Sequence, residues 1–128
     1  MALVCARPLI SVIDDDEGVR LALEDMFCSR GYDVCCFASA EAFLASPARR
    51  GTAFVVSDIQ MPGMGGLEMV RVLRRGGATV AVVLISAFAT PQVHARVARE
   101  TDVRLIEKPF DPPELLRLVE ALTGRAAP

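Results

Sequence analysis

The sequence lacks a strong excess of charge of either sign. Its 128 residues include 14 basic and 16 acidic side chains, for a formal net charge of −2. A protein that neutralises nucleic acid phosphates needs a basic surface, so this balance argues against DNA or RNA binding by the chain itself. No apolar run approaches the roughly 20 residues that cross a bilayer, and the start, MALVCARPLI, is too short for a signal peptide. We therefore expect a cytoplasmic protein with no membrane segment.

Cysteine offers no recognisable metal or redox motif. The four cysteines, Cys5, Cys28, Cys35 and Cys36, form no CxxC pair. Neighbouring strand residues such as Cys35 and Cys36 point to opposite faces. Because free cysteine is among the most frequently buried residue types, we interpret all four as core thiols.

Lysine is nearly absent. The 14 basic residues include a single lysine, Lys108, and the rest are arginine. Arginine therefore supplies the positive charge at positions where either basic side chain would be suitable. The one lysine indicates a position that requires a compact ammonium group and not a planar guanidinium.

What the sequence does contain is enough apolar material for one compact domain. Hydrophobic residues make up 52% of the chain and charged residues 23%, which predicts a buried core and excludes disorder. We assign residues 1–128 to a single domain, with a core at about 8–123 and a tail or linker stub at 124–128. No internal repeat or low-complexity segment divides it.

Five short apolar runs, each of a length suited to a strand, alternate with helical patterns. They are Leu9–Ile13, Tyr32–Phe37, Ala53–Ser57, Val80–Ile85 and Val103–Ile106. Short links between strands and helices favour a parallel sheet covered by helices on both faces. We therefore predict a doubly wound α/β domain of five parallel strands and five helices.

Several predicted helices begin and end at characteristic residues. Gly31 suits the left-handed position that ends the first helix, and Ser39 is a suitable cap for the second. Pro47 interrupts the second helix. Asp111, followed by two prolines and Glu114, has the spacing of a capping box at the start of the fifth.

Polar side chains follow four of the five predicted strands, at the edge where open parallel sheets bind ligands. The first strand is followed by Asp14, Asp15 and Asp16, the third by Asp58, the fourth by Ser86 and the fifth by Lys108. Crowded carboxylates repel one another unless a cation lies among them. An oxygen-rich set without histidine or cysteine favours Mg²⁺ over zinc.

These groups together suit the chemistry of phosphoryl transfer. An aspartate can attack a phosphoryl group when a metal and an ammonium group absorb the charge of the phosphoryl oxygens. Asp58 is then the candidate nucleophile, Lys108 the ammonium and Ser86 a hydroxyl donor. The product would be an aspartyl phosphate.

Four segments carry a family resemblance. They are residues 12–20 (VIDDDEGVR), 58–66 (DIQMPGMGG), 86–87 (SA) and 107–110 (EKPF). In this order at the ends of predicted strands, they resemble the acidic, phosphoacceptor, hydroxyl and lysine loops of CheY-like receiver domains of two-component response regulators. The segments IDDDEGVR and LIEKPF are most similar to those of receivers that precede helix-turn-helix output domains. The resemblance covers residues 8–123 and implies a flavodoxin-like fold.

The resemblance also implies a division of roles. Asp58 would accept a phosphoryl group from a sensor histidine kinase, a phosphotransfer protein of a phosphorelay or a small phosphodonor. Mg²⁺, or Mn²⁺, would be held by Asp15 and Asp58, assisted by Asp14 and the backbone carbonyl of Gln60. It further implies a cis bond between Lys108 and Pro109, no enzymatic activity beyond the domain's own phosphorylation and dephosphorylation, and homodimerisation on phosphorylation as one family arrangement.

Three positions are expected to modulate this behaviour. Leu105 stands where the family usually has an aromatic residue that works with the hydroxyl, so we expect the output switch to differ. Gln60 and Phe88 occupy family positions that influence how water reaches the acyl phosphate. A bulky Phe88 is expected to shield the phosphoryl group and slow its hydrolysis.

Two alternatives remain open from the sequence. A haloacid-dehalogenase-type phosphatase would use Asp14 as its nucleophile, with Asp16, Ser86 and Lys108 in supporting positions, but it leaves Asp58 without a role. A degenerate receiver that binds a partner without phosphorylation is suggested mainly by Leu105. Exchange of Asp14 and Asp58 singly for Asn distinguishes the phosphatase from the receiver.

Overall fold

The computed structural model describes residues 7–123 and contains one five-stranded parallel sheet in the order β2-β1-β3-β4-β5. The strands are β1 (Leu9–Ile13), β2 (Asp33–Phe37), β3 (Phe54–Asp58), β4 (Ala81–Ser86) and β5 (Val103–Glu107). The helices are α1 (Glu17–Cys28), α2 (Ala40–Ala45), α3 (Ala48–Gly51), α4 (Gly66–Arg75), α5 (Pro91–Ala98) and α6 (Pro112–Thr123). The prediction of a doubly wound α/β domain is confirmed.

The number of helices was predicted wrongly, because the chain around Pro47 forms two short helices. Ser46 adopts an extended backbone with ψ 144°, the conformation favoured before proline, and this ends α2. Pro47 returns to helical angles, and α3 adds one further turn. The Thr52 hydroxyl donates to the Ala48 carbonyl at 2.7 Å and closes that turn. Proline therefore divides this segment but does not end its helical character.

The predicted helix boundaries rest on local hydrogen bonds. The Ser39 hydroxyl accepts from the Ala42 amide at 3.1 Å, which confirms Ser39 as the cap of α2. Gly31 has φ +92°, the left-handed conformation expected just after α1. Asp16 accepts from the Val19 amide at 3.2 Å and caps α1.

The core lies in two layers, one on each face of the sheet. On one face, Val12 and Val56 pack with Phe27 of α1 and Val119 of α6. The other face packs Val55 and Leu84 against residues that include Phe43 of α2 and Leu73 of α4. Residues 82–86 of β4 are all buried, as predicted for a central strand covered on both sides.

The prediction that all cysteines are core thiols is wrong for Cys28, which is exposed at the end of α1. Cys35 and Cys36 are half-buried, because β2 is an edge strand that pairs only with β1. Burial raises the pKa of the Cys36 thiol, which keeps it protonated. Cys5 and the proposed tail at 124–128 lie outside the described residues.

No helix within residues 7–123 combines the length and apolar character needed to span a membrane.

Candidate functional site

An acidic cluster lies at the carboxyl edge of the sheet, between β1 and β3. These strands are neighbours, with Ile13 paired to Ser57, so the residues that follow them meet at one edge. One carboxylate oxygen from each of Asp14, Asp15 and Asp58 lies within 4.8 Å of the others. The sheet order reverses at this point, where doubly wound sheets bind their ligands. The predicted gathering of these three aspartates is confirmed.

Asp16 follows the same strand as Asp14 and Asp15 but does not join the cluster. Its carboxylate turns back to cap α1, while its amide donates to Asp14 Oδ1 at 2.9 Å. The free amides at the start of a helix attract a carboxylate in this way. The cluster therefore contains one carboxylate from β3 and two from the segment after β1.

Asp14 is the most buried member, with 2% of its surface exposed. Its Oδ2 atom is buried and has no hydrogen-bond partner among the described residues. Burial raises the pKa of Asp14, partly opposed by the hydrogen bond from the Asp16 amide, while the nearby Asp58 carboxylate raises it further. Three clustered carboxylates, one of which has a buried oxygen without a partner in the described structure, form a donor set that fits a hard cation such as Mg²⁺ or Mn²⁺.

Asp58 is the last residue of β3, and its two oxygens have different partners. Oδ1 accepts from the Gln60 amide at 3.1 Å. Oδ2 lies 3.7 Å from the Lys108 ammonium. The side chain is 13% exposed, so the carboxylate is reachable from solvent yet fixed in orientation.

Lys108 reaches Asp58 because its own backbone is anchored to β4. The Lys108 amide donates to the Ser86 carbonyl at 2.8 Å, directly beyond the last paired residues of β4 and β5. The bond between Lys108 and Pro109 is cis, as the resemblance implied. The only lysine of the sequence thus forms an ion pair with the candidate nucleophile.

Ser86 ends β4, and its position brings a hydroxyl to the same edge. The residue is 1% exposed, and its Oγ accepts from the Phe88 amide at 3.2 Å. This leaves the hydroxyl hydrogen available to donate. Phe88 itself is 75% exposed, and Leu105 is half-buried against the core layer that contains Leu84.

Two residues after Asp58 make contacts that were not expected from the sequence: Met64 in the loop and Gly66 at the start of α4. A Cβ atom on Gly66 would lie 2.6 Å from the Asp58 carbonyl oxygen, so only glycine allows α4 to start this close to the acceptor. The Met64 amide donates to Glu41 Oε2 of α2 at 3.1 Å. The adjacent glycines at 65 and 66 indicated a close approach of the backbone such as that between Gly66 and Asp58. No sequence pattern indicated the contact between Met64 and Glu41, because Glu41 lies on a different helix.

Comparison with known proteins identifies the family. The family model described as response regulator receiver domain matches residues 10–120. A doubly wound sheet with clustered aspartates and a lysine at its carboxyl edge agrees with this match. The chain therefore belongs to the receiver domains of two-component response regulators, which are signalling domains.

Curated relatives include transcriptional regulatory protein FixJ of Azorhizobium caulinodans, 33% identical over 118 residues, covering 92% of this chain and 56% of FixJ. Response regulator protein TodT of Pseudomonas putida is 32% identical over 113 residues, covering 88% of this chain and 50% of TodT. The chain thus spans about half the length of these relatives.

Solved structures give the same fold. The crystal structure titled FixJ-N superposes with a TM-score of 0.81 at 28% identity, covering 97% of this chain and 99% of that one. The signal receiver domain of an HD domain-containing protein from Pseudomonas fluorescens Pf-5 superposes with a TM-score of 0.84 over 93% of this chain and 96% of that one. It is 22% identical, so this likeness concerns the fold alone.

Proposed function

We propose that this receiver domain accepts a phosphoryl group on Asp58 in a reaction that depends on a divalent cation. The donor would be a phosphohistidine of a sensor histidine kinase or of a phosphotransfer protein, or a small phosphodonor. The observation that carries the proposal is the pairing of Lys108 with Asp58 Oδ2 at 3.7 Å beside the unpartnered Oδ2 of Asp14.

The cation would be held by the carboxylates of Asp14, Asp15 and Asp58, which already lie together. The backbone carbonyl of Gln60 is the fourth proposed ligand, as the resemblance to receiver domains implies. Mg²⁺, or Mn²⁺, would neutralise charge on the phosphoryl oxygens when bound.

The chain's own residues then divide the chemistry. Asp58 Oδ2 attacks phosphorus while the bond to the donor's histidine nitrogen breaks, and the imidazole leaves. Because Oδ1 accepts from the Gln60 amide, the attacking oxygen is held on the Lys108 side. Lys108 would contact a phosphoryl oxygen with its ammonium group, and Ser86 would donate its hydroxyl to another.

A groove beside this site suits a docking partner. It has a volume of about 610 Å³ and lies between α1 and the segment after β5, with Lys108 among its lining residues. Its other lining residues are apolar, among them Ala22, Met26 and Phe110. A partner that presents a phosphohistidine to Asp58 would pack apolar side chains here.

Beyond the receiver reaction, we propose that residues 1–128 form one domain of a cytoplasmic regulator. The relatives named above as regulatory proteins suggest transcriptional control as the output, reached through a longer protein of which this chain would be one part. The domain would catalyse only its own phosphorylation and dephosphorylation. Phosphorylation would favour a homodimer, and sedimentation of the phosphorylated and unphosphorylated protein tests this.

The phosphatase alternative is disfavoured by the position of Asp16, which caps α1 and does not face the cluster. The decisive experiment exposes wild type, Asp14→Asn and Asp58→Asn to Mg²⁺ and a small phosphodonor and measures intact mass. The receiver reaction predicts an added phosphoryl group on wild type and none on Asp58→Asn, with slower labelling of Asp14→Asn. A phosphatase would lose covalent labelling with Asp14→Asn instead, and a degenerate receiver would never be labelled.

A further inference from the structure

Glu41 contacts the loop that follows the phosphoacceptor, although its helix contributes nothing to the acidic cluster. Its Oε2 accepts from the Met64 amide at 3.1 Å. Gly63, the residue before Met64, has φ +78°, and a Cβ atom there would lie 2.6 Å from the same carboxylate oxygen. The loop therefore lies directly against the Glu41 carboxylate, and the positive φ of Gly63 favours glycine at this contact.

The rest of the loop, residues 59–65, has few other hydrogen bonds in the described structure, although Ile59, Met61 and Met64 pack against the core layer. Its first residue, Ile59, donates to the Ile85 carbonyl at 2.9 Å and accepts from the Gly66 amide at 2.9 Å. Between these points, the bond to Glu41 is the only hydrogen bond in the described structure that ties residues 61–64 to another element.

The exit of this loop is not fixed by a local cap. Gly65 is the N-cap residue of α4 and offers no side chain to the free amides of the helix. Gly65 and Gly66 follow one another, and two successive glycines allow the backbone many alternative conformations unless other contacts restrict it. The side chains of Met61 and Met64 hold the loop to the core by apolar packing, and Glu41 adds a hydrogen bond that fixes its backbone.

We propose that Glu41 is a positioning residue for the cation-dependent phosphorylation of Asp58. By holding the Met64 amide, it restricts the backbone that follows Asp58 and carries Gln60, the residue whose carbonyl is the proposed fourth ligand. This inference rests on the proposed function for its catalytic consequence. Loss of the anchor means that cation binding must order the loop, so the cation binds less tightly.

The test compares Glu41→Ala and Glu41→Gln with a charge-matched control. Glutamine keeps a carbonyl oxygen that can accept from the Met64 amide, whereas alanine removes the acceptor. Glu68→Ala removes an exposed carboxylate from the first turn of α4, one that makes no hydrogen bond or ion pair within the described residues. Three quantities are measured: hydrogen exchange of the Met64 amide without metal, the Mg²⁺ dissociation constant from amide shifts, and the Mg²⁺ dependence of the initial phosphorylation rate.

We expect Glu41→Ala to speed Met64 exchange and to raise the Mg²⁺ dissociation constant about three- to tenfold, as for loss of one exposed hydrogen bond to a charged group. The maximal rate at saturating Mg²⁺ should change little. Glu41→Gln should restore both quantities nearly to wild type, and Glu68→Ala should match wild type.

Unchanged Met64 exchange and Mg²⁺ affinity in Glu41→Ala would overturn the proposal. Equal losses in Glu41→Gln and Glu41→Ala would also overturn it, because they would trace the effect to charge and not to the hydrogen bond. The exchange and binding measurements need no phosphorylation. A wild type that binds Mg²⁺ but takes no phosphoryl group would therefore refute the proposed function and leave the role of Glu41 to be decided separately.

Discussion

The Lys108 ammonium lies 3.7 Å from Oδ2 of Asp58, and the two side chains are 33% and 13% exposed. In the part of the chain that the structure describes, this is the one ion pair that involves the acidic cluster. Exposed ion pairs contribute little to stability, so the value of this one lies in where it places the ammonium group. It fixes a single compact cation at the position where phosphoryl charge would arrive.

Lys108→Met is expected to slow phosphorylation of Asp58 by about tenfold or more, because the charge on the incoming phosphoryl oxygens loses a preorganised partner. Lys108→Arg should not restore the rate, since the planar guanidinium cannot occupy the place of the compact ammonium. Rates of labelling with a small phosphodonor at saturating Mg²⁺ measure both variants. An arginine variant as fast as wild type would contradict the requirement for lysine.

Asp14→Asn is expected to stabilise the metal-free protein at neutral pH by about 1 kcal/mol, because it removes a buried carboxylate with an unpartnered oxygen. The same variant should lose most of the stabilisation that Mg²⁺ gives to wild type. Thermal unfolding with and without Mg²⁺ measures both effects. A variant that is less stable without metal would contradict the repulsive role of this carboxylate.

The pH dependence of stability follows from the same residue. Burial raises the pKa of Asp14 in the folded state above that of the unfolded chain. Between the two pKa values the folded state binds more protons, so the free energy of unfolding falls as pH rises through that window. Without metal, urea unfolding of wild type should show this decline, and Asp14→Asn should show less of it. Identical pH profiles would rule out Asp14 as the source.

Gly66→Ala is expected to destabilise the fold by about 1–3 kcal/mol, because its Cβ would press on the Asp58 carbonyl oxygen at 2.6 Å. Displacement of Asp58 should also slow phosphorylation. Gly51→Ala is the matched control, since a Cβ there meets nothing within 4 Å. Chemical denaturation and labelling rates of the two variants should differ clearly, and equal behaviour would show that α4 can retreat from the acceptor.

Phe88→Ala is expected to shorten the lifetime of the acyl phosphate if the aromatic ring shields it from water. The ring is 75% exposed, while its backbone amide is tied to Ser86 Oγ at 3.2 Å. Shielding would therefore require the ring to fold over the phosphoryl group. The half-life after removal of the phosphodonor measures this, and an unchanged half-life would rule out shielding.

Most of the fold and the acidic cluster could be predicted from the sequence, because both depend on local patterns. Short apolar runs define the strands, and parallel strands bring the residues that follow them to one edge. Asp14, Asp15, Asp58 and Lys108 therefore meet as expected. Each of these residues lies at or directly after the end of a strand, so their meeting can be predicted without knowledge of any tertiary contact.

The features that the sequence did not reveal depend on competition between hydrogen-bond partners, on exposure at helix ends or on contacts between distant segments. Asp16 had two available roles, and the free amides of α1 attracted its carboxylate away from the cluster. Cys28 is apolar enough for the core, yet its position at the end of α1 leaves it exposed. Glu41 of α2 contacts a loop that is distant in the sequence, and no spacing rule reveals this contact.

The central claim is that Asp58 carries the phosphoryl group. The most direct measurement is borohydride reduction of protein incubated with Mg²⁺ and a small phosphodonor, followed by peptide mass mapping. Borohydride converts an aspartyl phosphate to homoserine and leaves free aspartate intact. We predict homoserine at position 58 alone, and only in the sample with phosphodonor. Homoserine at position 14, or none at any position, would contradict the assignment.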